Sequence, residues 1–361
     1  MSIHQQRRHQ LHERLKQAGA DSILVTNVHN VAYLTGFTGD SSYLLVSRER
    51  AIMFSDRRFE TQLPEECPGV ELEIRGPGTT MIELLKRVLP GKFGSVAIEA
   101  NSMLVSLWLR LQEDLKDVPL VPTNGLVEEL RMVKDEQEIA AIRRAIYIAQ
   151  RAFGVAKASM HRDQTEKEVA DLLEQQIRAF GGTCSSFPAI IASGPRAALP
   201  HAGATEARVG QYDFVLCDWG ARDHYISDLT RMLIFGKPSD QLAKIHAAVR
   251  GAQEAAFAAI RPEASLADVD AAARKVIEDA GFGEKFSHSL GHGIGLEVHE
   301  APRMASSEKG VLKPGMVVTV EPGIYLPGWG GVRLEDDVLV TETGCEILSN
   351  LPHALEESIV V

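Results

Sequence analysis

The C-terminal half of the chain carries five side chains whose types and contexts suit a metal centre. Four are carboxylates and one is an imidazole. The motifs CDWG, SDLTR, SLGHGIG, TVEPG and GVRLED contain, in that order, Asp218, Asp228, His292, Glu321 and Glu335. Four carboxylates brought together in a buried sheet would repel one another and resist desolvation unless cations neutralised them. The motifs therefore predict a site for divalent cations.

The donor atoms of this set also indicate which cations to expect. One imidazole nitrogen with several carboxylate oxygens suits Mn²⁺, Co²⁺ or Zn²⁺ better than a thiolate-type site would. Two ions bridged by carboxylates would generate a hydroxide and hold both oxygens of a tetrahedral intermediate. We therefore expect two divalent ions per chain, with manganese, cobalt and zinc as the candidates.

Other polar residues lie close to these motifs. His288 and His299 flank His292 with the spacing H-x3-H-x6-H, and the glycines of GHGIG let the backbone approach a site closely. A lone histidine is more often structural, but three in this pattern near acidic strands favour a function. Arg333 precedes Glu335 by two residues, so on a strand it would share that face and orient an acidic ligand. A surface ion pair is the alternative.

The two aspartates are ten residues apart, with the turn-like segment ARDHY between them. A hairpin would place Asp218 and Asp228 on one face, because their separation is even. After Glu335, the alternation of a strand places Asp337 on the same face and Asp336 on the opposite one.

Two domains are expected to position these residues. Residues 1–128 alternate apolar strands with helices, which is typical of an α/β layer domain. Residues 129–361 would form the domain that holds the site, after a turn-rich stretch at 122–125. The sequence predicts strands over 22–26, 43–47, 51–55 and 95–99, and helices over 5–18, 79–88 and 102–114.

The second domain shows a weak internal repeat. The first half begins with a long helix over Ile139–Phe153, and a second helix follows that begins at the capping box Thr165-x-x-Glu168. About a hundred residues later the same order recurs, with a helix over 240–260 and a second one that begins at Ser265-x-x-Asp268. The inward face of the last helix is predicted to carry Val269, Ala272 and Val276. Aligning DFVLCDWG with MVVTVEPG matches Asp218 with Glu321, and Asp228 then matches Glu335. Each half would supply one carboxylate at a strand end and another on the next strand.

Composition narrows the classes of partner. The net charge is -11, which argues against nucleic acid or an anionic membrane as the main partner. No apolar run is long enough to span a membrane, and the polar N-terminus lacks the apolar core of a signal peptide. The four cysteines are scattered without paired spacing, so reduced thiols in a cytoplasmic protein are expected.

Several segments together resemble the proline-specific branch of the pita-bread metallopeptidases, which comprises Xaa-Pro aminopeptidases and Xaa-Pro dipeptidases (prolidases). The similar segments are HSLGHGIGLEVHE (288–300), TVEPGIY (319–325), GVRLED (331–336), LPHAG (199–203) and NVAYLTGF (30–37). The resemblance implies an α/β N-terminal domain of creatinase/prolidase type and an α+β pita-bread catalytic domain with an internal pseudo-two-fold repeat. It also implies small peptide substrates with proline in the second position, and a homodimer.

The resemblance further implies a role for each matched residue. Asp218, Asp228, His292, Glu321 and Glu335 would be the metal ligands. Glu321 would also hold the hydroxide and move its proton, His299 would steady the tetrahedral intermediate, and His201 would pass protons to the leaving amine. His288, Tyr325 and Arg333 would contact the substrate or support the ligands.

The chain departs from the family pattern at the first aspartate pair, where the turn is one residue shorter and Trp219 replaces a phenylalanine. A register slip there would turn Asp228 away from the metal, whereas a lost bulge would be harmless, and we favour the second interpretation. Three rivals are a metal-free creatinase-type hydrolase, a non-catalytic scaffold and a broader aminopeptidase of the methionine aminopeptidase kind. The intact ligand set argues against the first two. The choice between aminopeptidase and dipeptidase stays open.

Overall fold

The computed structural model describes residues 1–360, and the chain forms two compact units, Met1–Arg131 and Met132–Val361. The first is an α/β domain on a six-stranded mixed sheet of order β4-β3-β2-β1-β5-β6. Its strands are β1 (Ser22–Val25), β2 (Tyr43–Ser47), β3 (Ala51–Asp56), β4 (Glu71–Arg75), β5 (Val96–Glu99) and β6 (Leu120–Thr123). Its helices are α1 (Ile3–Gln17), α2 (Val28–Thr35), α3 (Gln62–Glu66), α4 (Met81–Val88), α5 (Val105–Asp114) and α6 (Glu128–Arg131).

The predicted strands of this unit are present as β1, β2, β3 and β5, and the predicted helices as α1, α4 and α5. Sequence reasoning missed the two edge strands. β4 is only partly buried and β6 contains Pro122, a residue confined to strand edges because it lacks an N–H. Pro122 and Thr123 therefore belong to a strand rather than to the predicted turn. The domain boundary predicted after residue 128 falls at the start of α6.

The second unit is an α+β domain with four long helices and several small sheets. Its helices are α7 (Glu136–Ser159), α8 (Glu166–Ala179), α9 (Asp240–Ala259) and α10 (Leu266–Asp279). Its strands are β7 (Cys184–Ser185), β8 (Ile190–Ser193), β9 (Phe214–Trp219), β10 (Ala221–Asp223), β11 (Tyr225–Ile226), β12 (Leu229–Ile234), β13 (Gly291–Gly293), β14 (Glu300–Met304), β15 (Val317–Val320), β16 (Gly323–Leu326), β17 (Gly330–Arg333), β18 (Asp336–Val340) and β19 (Cys345–Ile347).

The internal repeat is confirmed in this unit. Helix α7 packs on α8 and the strand pair β9–β12, and α9 packs on α10 and near the strand pair β15–β18. Both strand pairs are antiparallel. A bridge between Thr230 and Glu335 joins the two halves. The second carboxylate of each half lies just before its strand rather than on it, with Asp228 preceding β12 and Glu335 preceding β18.

The N-termini of the paired helices confirm one local prediction and correct another. Thr165 and Glu168 form the predicted reciprocal capping box of α8. In α10 the predicted inward residues Val269 and Val276 do face the core, Val276 only partly buried, but Ala272 was wrong, because the neighbouring Ala273 is the buried position together with Ile277. Helical periodicity fixed the spacing of that face but not which of two adjacent residues points inward, because small and apolar residues occur at consecutive positions there.

The connection between the two aspartates is not the simple hairpin that was predicted. Asp218 pairs with Thr230 across β9 and β12, and the residues between them form a second, small hairpin of β10 and β11 in another sheet. His224 lies at its tip with a φ of 66°, in the left-handed region. The chain therefore leaves the first sheet after Trp219 and returns to it at Leu229.

No helix within residues 1–360 combines the length and the apolar character that crossing a bilayer requires.

Candidate metal centre

The carboxylates of both halves converge on His292 in the interior of the second unit. Donor atoms of Asp228, His292 and Glu335 all lie within 4.8 Å of one another. The Nε2 atom of His292 is 3.5 Å from Oε1 of Glu321 and 3.9 Å from Oδ2 of Asp228. The shortened turn therefore leaves Asp228 facing the other donors.

Burial and mutual repulsion disfavour the ionised form of the carboxyl groups in this cluster. Burial raises the pKa of Asp228 and of Glu335 well above the usual carboxyl range, and neighbouring carboxylates raise both further. Burial also raises the pKa of Glu321 to about 8. Divalent cations would reverse this preference, because their charge favours the ionised form of every carboxylate around them.

The hydrogen bonds of His292 suit a metal ligand. Its Nδ1 atom is 3.1 Å from the carbonyl oxygen of Gly293, which can only accept, so Nδ1 carries the proton. Burial lowers the pKa of His292 to about 4, so the ring is neutral. The Nε2 lone pair therefore faces the carboxylates and is free to bind a cation.

Asp218 differs from the other carboxylates because it has a cationic partner. Nη2 of Arg333 donates to its Oδ2 at 2.5 Å, and both side chains are buried. Burial raises the pKa of Asp218, and Arg333 opposes that rise. The other oxygen, Oδ1, is buried without a hydrogen-bond partner among residues 1–360. Buried polar atoms almost always have a hydrogen-bond partner, so this oxygen atom is well suited to bind a metal ion instead.

Arg333 was predicted to orient an acidic ligand, with a surface ion pair as the alternative. Arg333 is only 3% exposed, so the surface alternative is wrong. The carboxylate it contacts is Asp218 of the other half rather than its sequence neighbour Glu335. Its Nε atom donates to the hydroxyl of Thr230, and that hydroxyl donates to Oε2 of Glu335 at 2.6 Å.

Thr230 was missed in the sequence, although the signal was there. It follows Asp228 by two residues, so alternation along the strand places both side chains on one face. The alternation after Glu335 was predicted correctly: Asp337 accepts from the backbone N–H of Asp228, while Asp336 pairs with Arg231 away from the cluster.

His288 and Tyr325 form a chain of hydrogen bonds that ends at Arg333. Nη1 of Arg333 donates to the Tyr325 hydroxyl at 2.8 Å, and that hydroxyl is 2.9 Å from Nε2 of His288. Nδ1 of His288 is 2.8 Å from the carbonyl oxygen of Ser289, so Nδ1 holds the proton and Nε2 accepts from the tyrosine. Burial lowers the pKa of His288 to about 4, which keeps this ring neutral.

The remaining two histidines lie at the accessible side of the cluster. The ring of His299 makes an edge contact with the ring of His292 at a centroid separation of 4.5 Å, and His299 is exposed. His201 is exposed too, and its neighbour Pro200 accepts from Arg333 through its carbonyl oxygen at 3.4 Å. An exposed imidazole beside the buried metal donors can contact a substrate that is bound at the metal centre.

Comparison with known families agrees with this geometry. Metallopeptidase family M24 matches residues 140–342, and the Creatinase/Prolidase N-terminal domain matches residues 7–133. The chain therefore belongs to metallopeptidase family M24, and it carries the creatinase/prolidase type of N-terminal domain. Membership of this family implies divalent metal ions, and the donor set described above fits them.

Relatives and solved structures extend the match over nearly the whole chain. A structure titled Xaa-Pro dipeptidase from Bacillus anthracis superposes with a TM-score of 0.94 at 39% identity, covering 99% of both chains. A structure of an X-Pro aminopeptidase from Thermotoga maritima gives a TM-score of 0.87 at 37% identity, covering 94% of this chain and 99% of that one. An Xaa-Pro dipeptidase of Pyrococcus horikoshii is 34% identical over 346 residues, which are 95% of this chain and 96% of the relative. The predicted pita-bread fold and its N-terminal domain are confirmed.

Proposed function

We propose that this chain is a dinuclear metal-dependent exopeptidase that hydrolyses the bond between an N-terminal residue and a following proline. The observation that carries the proposal is the convergence of Asp228, His292 and Glu335 from both halves of the repeat, with donor atoms within 4.8 Å. The names of the similar proteins support the proline specificity, since they include both Xaa-Pro dipeptidases and an X-Pro aminopeptidase.

Five side chains would hold the cations: Asp218, Asp228, His292, Glu321 and Glu335. Divalent ions bound there would supply Lewis acidity and a polarised water. Manganese is the proposed metal, with cobalt and zinc as alternatives, because oxygen donors with a single imidazole suit all three. The orphaned Oδ1 of Asp218 and the bare Nε2 of His292 support two of these assignments.

The protein's own residues supply the proton transfers and the positioning. Glu321, kept ionised by the charge of the bound cations, would take the proton of the attacking water. His299 donates a hydrogen bond to the oxygen on which negative charge develops. His201, on the accessible side, delivers a proton to the leaving amine, while His288 and Tyr325 contact the substrate.

A panel of three peptides tests this function on protein loaded with Mn²⁺. Cleavage of Ala-Pro alone defines a dipeptidase, and preference for Ala-Pro-Ala defines an aminopeptidase. Cleavage of Met-Ala-Ala shows a broader aminopeptidase of the methionine aminopeptidase kind. Glu321→Gln should abolish turnover in each case while retaining the fold by circular dichroism. No cleavage of any peptide would support a non-catalytic scaffold and end the proposal.

Two properties of the whole protein complete the proposal. A homodimer is expected from the family resemblance, and light scattering coupled to size-exclusion chromatography measures it directly. A cytoplasmic location is supported by the four free cysteines, of which Cys67 and Cys217 are buried, because a reducing compartment maintains free thiols. Fractionation of the native host cells tests this location.

A further inference from the structure

The three segments that carry His201, His288 and His299 each contact a buried acidic side chain that the proposed reaction does not use. These acids are Glu166, Asp270 and Glu300. Each accepts hydrogen bonds from backbone N–H groups of the segment that carries or adjoins one histidine. Each also pairs with a basic side chain.

The segment around His201 is held at both ends by Glu166, which is fully buried near the start of α8. Its Oε1 atom accepts from the backbone N–H of Ser193 at 2.9 Å, on one side of the loop. Its Oε2 atom accepts from the backbone N–H and the hydroxyl of Thr205, at 3.1 and 2.7 Å, on the other side. Arg196 donates to the same oxygen at 2.9 Å. One carboxylate therefore joins the two ends of the segment that contains His201.

The segment around His288 is held by the pair Asp270–Arg274 on α10. Arg274 donates to both oxygens of Asp270, and Oδ1 of Asp270 accepts from the backbone N–H of Leu290 at 3.1 Å. The same guanidinium donates to the carbonyl oxygens of Phe286 at 3.0 Å and of His288 itself at 2.5 Å. The backbone on either side of the imidazole is therefore tied to one helix.

The segment before His299 is held by Glu300, whose side chain is 6% exposed and pairs with Lys134, 1% exposed, at 3.3 Å. Oε1 of Glu300 accepts from the backbone N–H groups of Leu296 at 2.7 Å and Glu297 at 3.1 Å. The loop therefore folds back onto the residue that directly follows the histidine.

The β10–β11 hairpin, which contains the shortened turn, also forms hydrogen bonds with the loop before His299. The backbone N–H of Ile226 donates to the carbonyl oxygen of Gly295, and Arg222 donates to that of Leu296, both at 3.0 Å. A Cβ atom added at Gly295 would lie 2.7 Å from both carboxylate oxygens of Glu300, so a larger residue there would displace this carboxylate.

We propose that Glu166, Asp270 and Glu300 are positioning residues, each of which fixes the backbone of one histidine segment: His201, His288 and His299 in turn. None of the three touches the metal donors in any hydrogen bond described above. We expect their effect on turnover to run through the histidine segments, and in that respect the inference rests on the proposed function. Misplacing a reacting group by about 1 Å can lower turnover about a hundredfold.

Hydrogen–deuterium exchange on metal-loaded protein tests the positioning without reference to activity. Glu166→Ala should speed exchange of the Ser193 and Thr205 amides, Asp270→Ala that of Leu290, and Glu300→Ala that of Leu296 and Glu297. Each variant should leave the other two segments as protected as in the parent protein. The proposal would be overturned if all three variants were as protected as the parent protein in these segments. It would also be overturned if each variant lost protection throughout the chain.

Kinetics on the same variants supply the second readout. We expect kcat for Xaa-Pro peptides to fall about 10-fold to 100-fold, which is the loss seen when residues that orient metal ligands are removed. KM should change less, and the amount of bound metal should not change. Wild-type kcat in all three variants would contradict the proposal. If the parent protein hydrolyses no such peptide while the exchange pattern holds, the proposed function fails and the positioning stands.

Milder substitutions cover the case in which an alanine variant does not fold. Each alanine removes the partner of a basic side chain: partly exposed Arg196 and Arg274, and buried Lys134. Glu166→Gln, Asp270→Asn and Glu300→Gln keep one oxygen that can accept from the backbone, so they should show a smaller loss in the same segment. Asp279→Asn is the matched control on α10, because Asp279 forms an exposed ion pair with Lys275. It should change neither exchange nor turnover.

Discussion

Thr230 links two carboxylates that come from different halves of the repeat. Its hydroxyl donates to Glu335 and accepts from Arg333, which in turn holds Asp218. The side chain is fully buried. This hydroxyl therefore fixes the orientation of two proposed ligands although it need not bind the metal itself.

Removing that hydroxyl should weaken metal binding. Thr230→Val keeps the volume of the side chain but leaves Glu335 and Arg333 without their shared partner, so we expect the metal dissociation constant to rise about 10-fold to 100-fold. Isothermal titration of metal-stripped protein with Mn²⁺ measures it. Thr341→Val is the control, because the Thr341 hydroxyl only accepts from Gly344 in a turn. Equal affinities for Thr230→Val and the parent protein would refute this role.

His246 on α9 makes stability depend on pH at a distance from the metal donors. It is 5% exposed, and burial lowers its pKa to about 4, with Arg250 as a further cause. The unfolded chain takes up this proton near the usual pKa of about 6.5, whereas the folded chain does not until about pH 4. The folded state is therefore favoured fully above pH 6.5 and loses that advantage as the pH falls towards 4.

This difference corresponds to about 3 kcal/mol of unfolding free energy between pH 7 and pH 4. His246→Gln should remove most of that dependence, because glutamine does not titrate. Urea unfolding of the second unit at a series of pH values, in the parent protein and the variant, compares the two slopes. Parallel slopes would show that His246 is protonated equally in both states.

At the scale of elements, the helix that carries Glu166 begins at a capping box. The side chain of Thr165 accepts from the backbone N–H of Glu168, and Glu168 accepts from that of Thr165. Thr165→Ala should therefore lower the free energy of unfolding by about 1 kcal/mol. Thr165→Ser keeps the hydroxyl and should cost much less. Thermal or urea denaturation of both variants measures the difference, and equal losses would show that the methyl group matters rather than the cap.

The elements that sequence reasoning predicted are those with strong local signals. Buried strands such as β2 and β9 are continuous apolar runs, and α8 has its capping box and apolar stripe. β4 and β6 were missed because they are half-buried edges, and the β10–β11 hairpin was missed because its strands are short. Their formation depends on partners distant in the chain, which local patterns do not reveal.

The same distinction applies within the site. The motifs pointed to Asp228, His292 and Glu335, which the structure brings together. The contact between Arg333 and Asp218, and the buried acids such as Glu166, depend on how distant segments meet in three dimensions. A single sequence gives the type of a residue and its face on a strand, but not its partner from another sheet.

At the scale of the whole molecule, the metal centre should stabilise the fold as well as catalyse. The carboxylates come from both halves of the repeat and repel one another when no cation is present. A Mn²⁺ concentration a hundredfold above the dissociation constant should raise Tm by about 5 to 10 °C. Differential scanning calorimetry with and without chelator measures the shift. Asp228→Asn should show a smaller one, and an equal shift would place the metal elsewhere.

The decisive measurement is a titration of metal-stripped protein with Mn²⁺, in which bound metal and hydrolysis of Ala-Pro and Ala-Pro-Ala are followed together. We expect no turnover without metal, a rise that follows metal binding, and saturation at two ions per chain. We also expect Asp228→Asn not to reach that activity. Full turnover of the parent protein in the presence of chelator, with no bound metal, would show that hydrolysis does not depend on a metal.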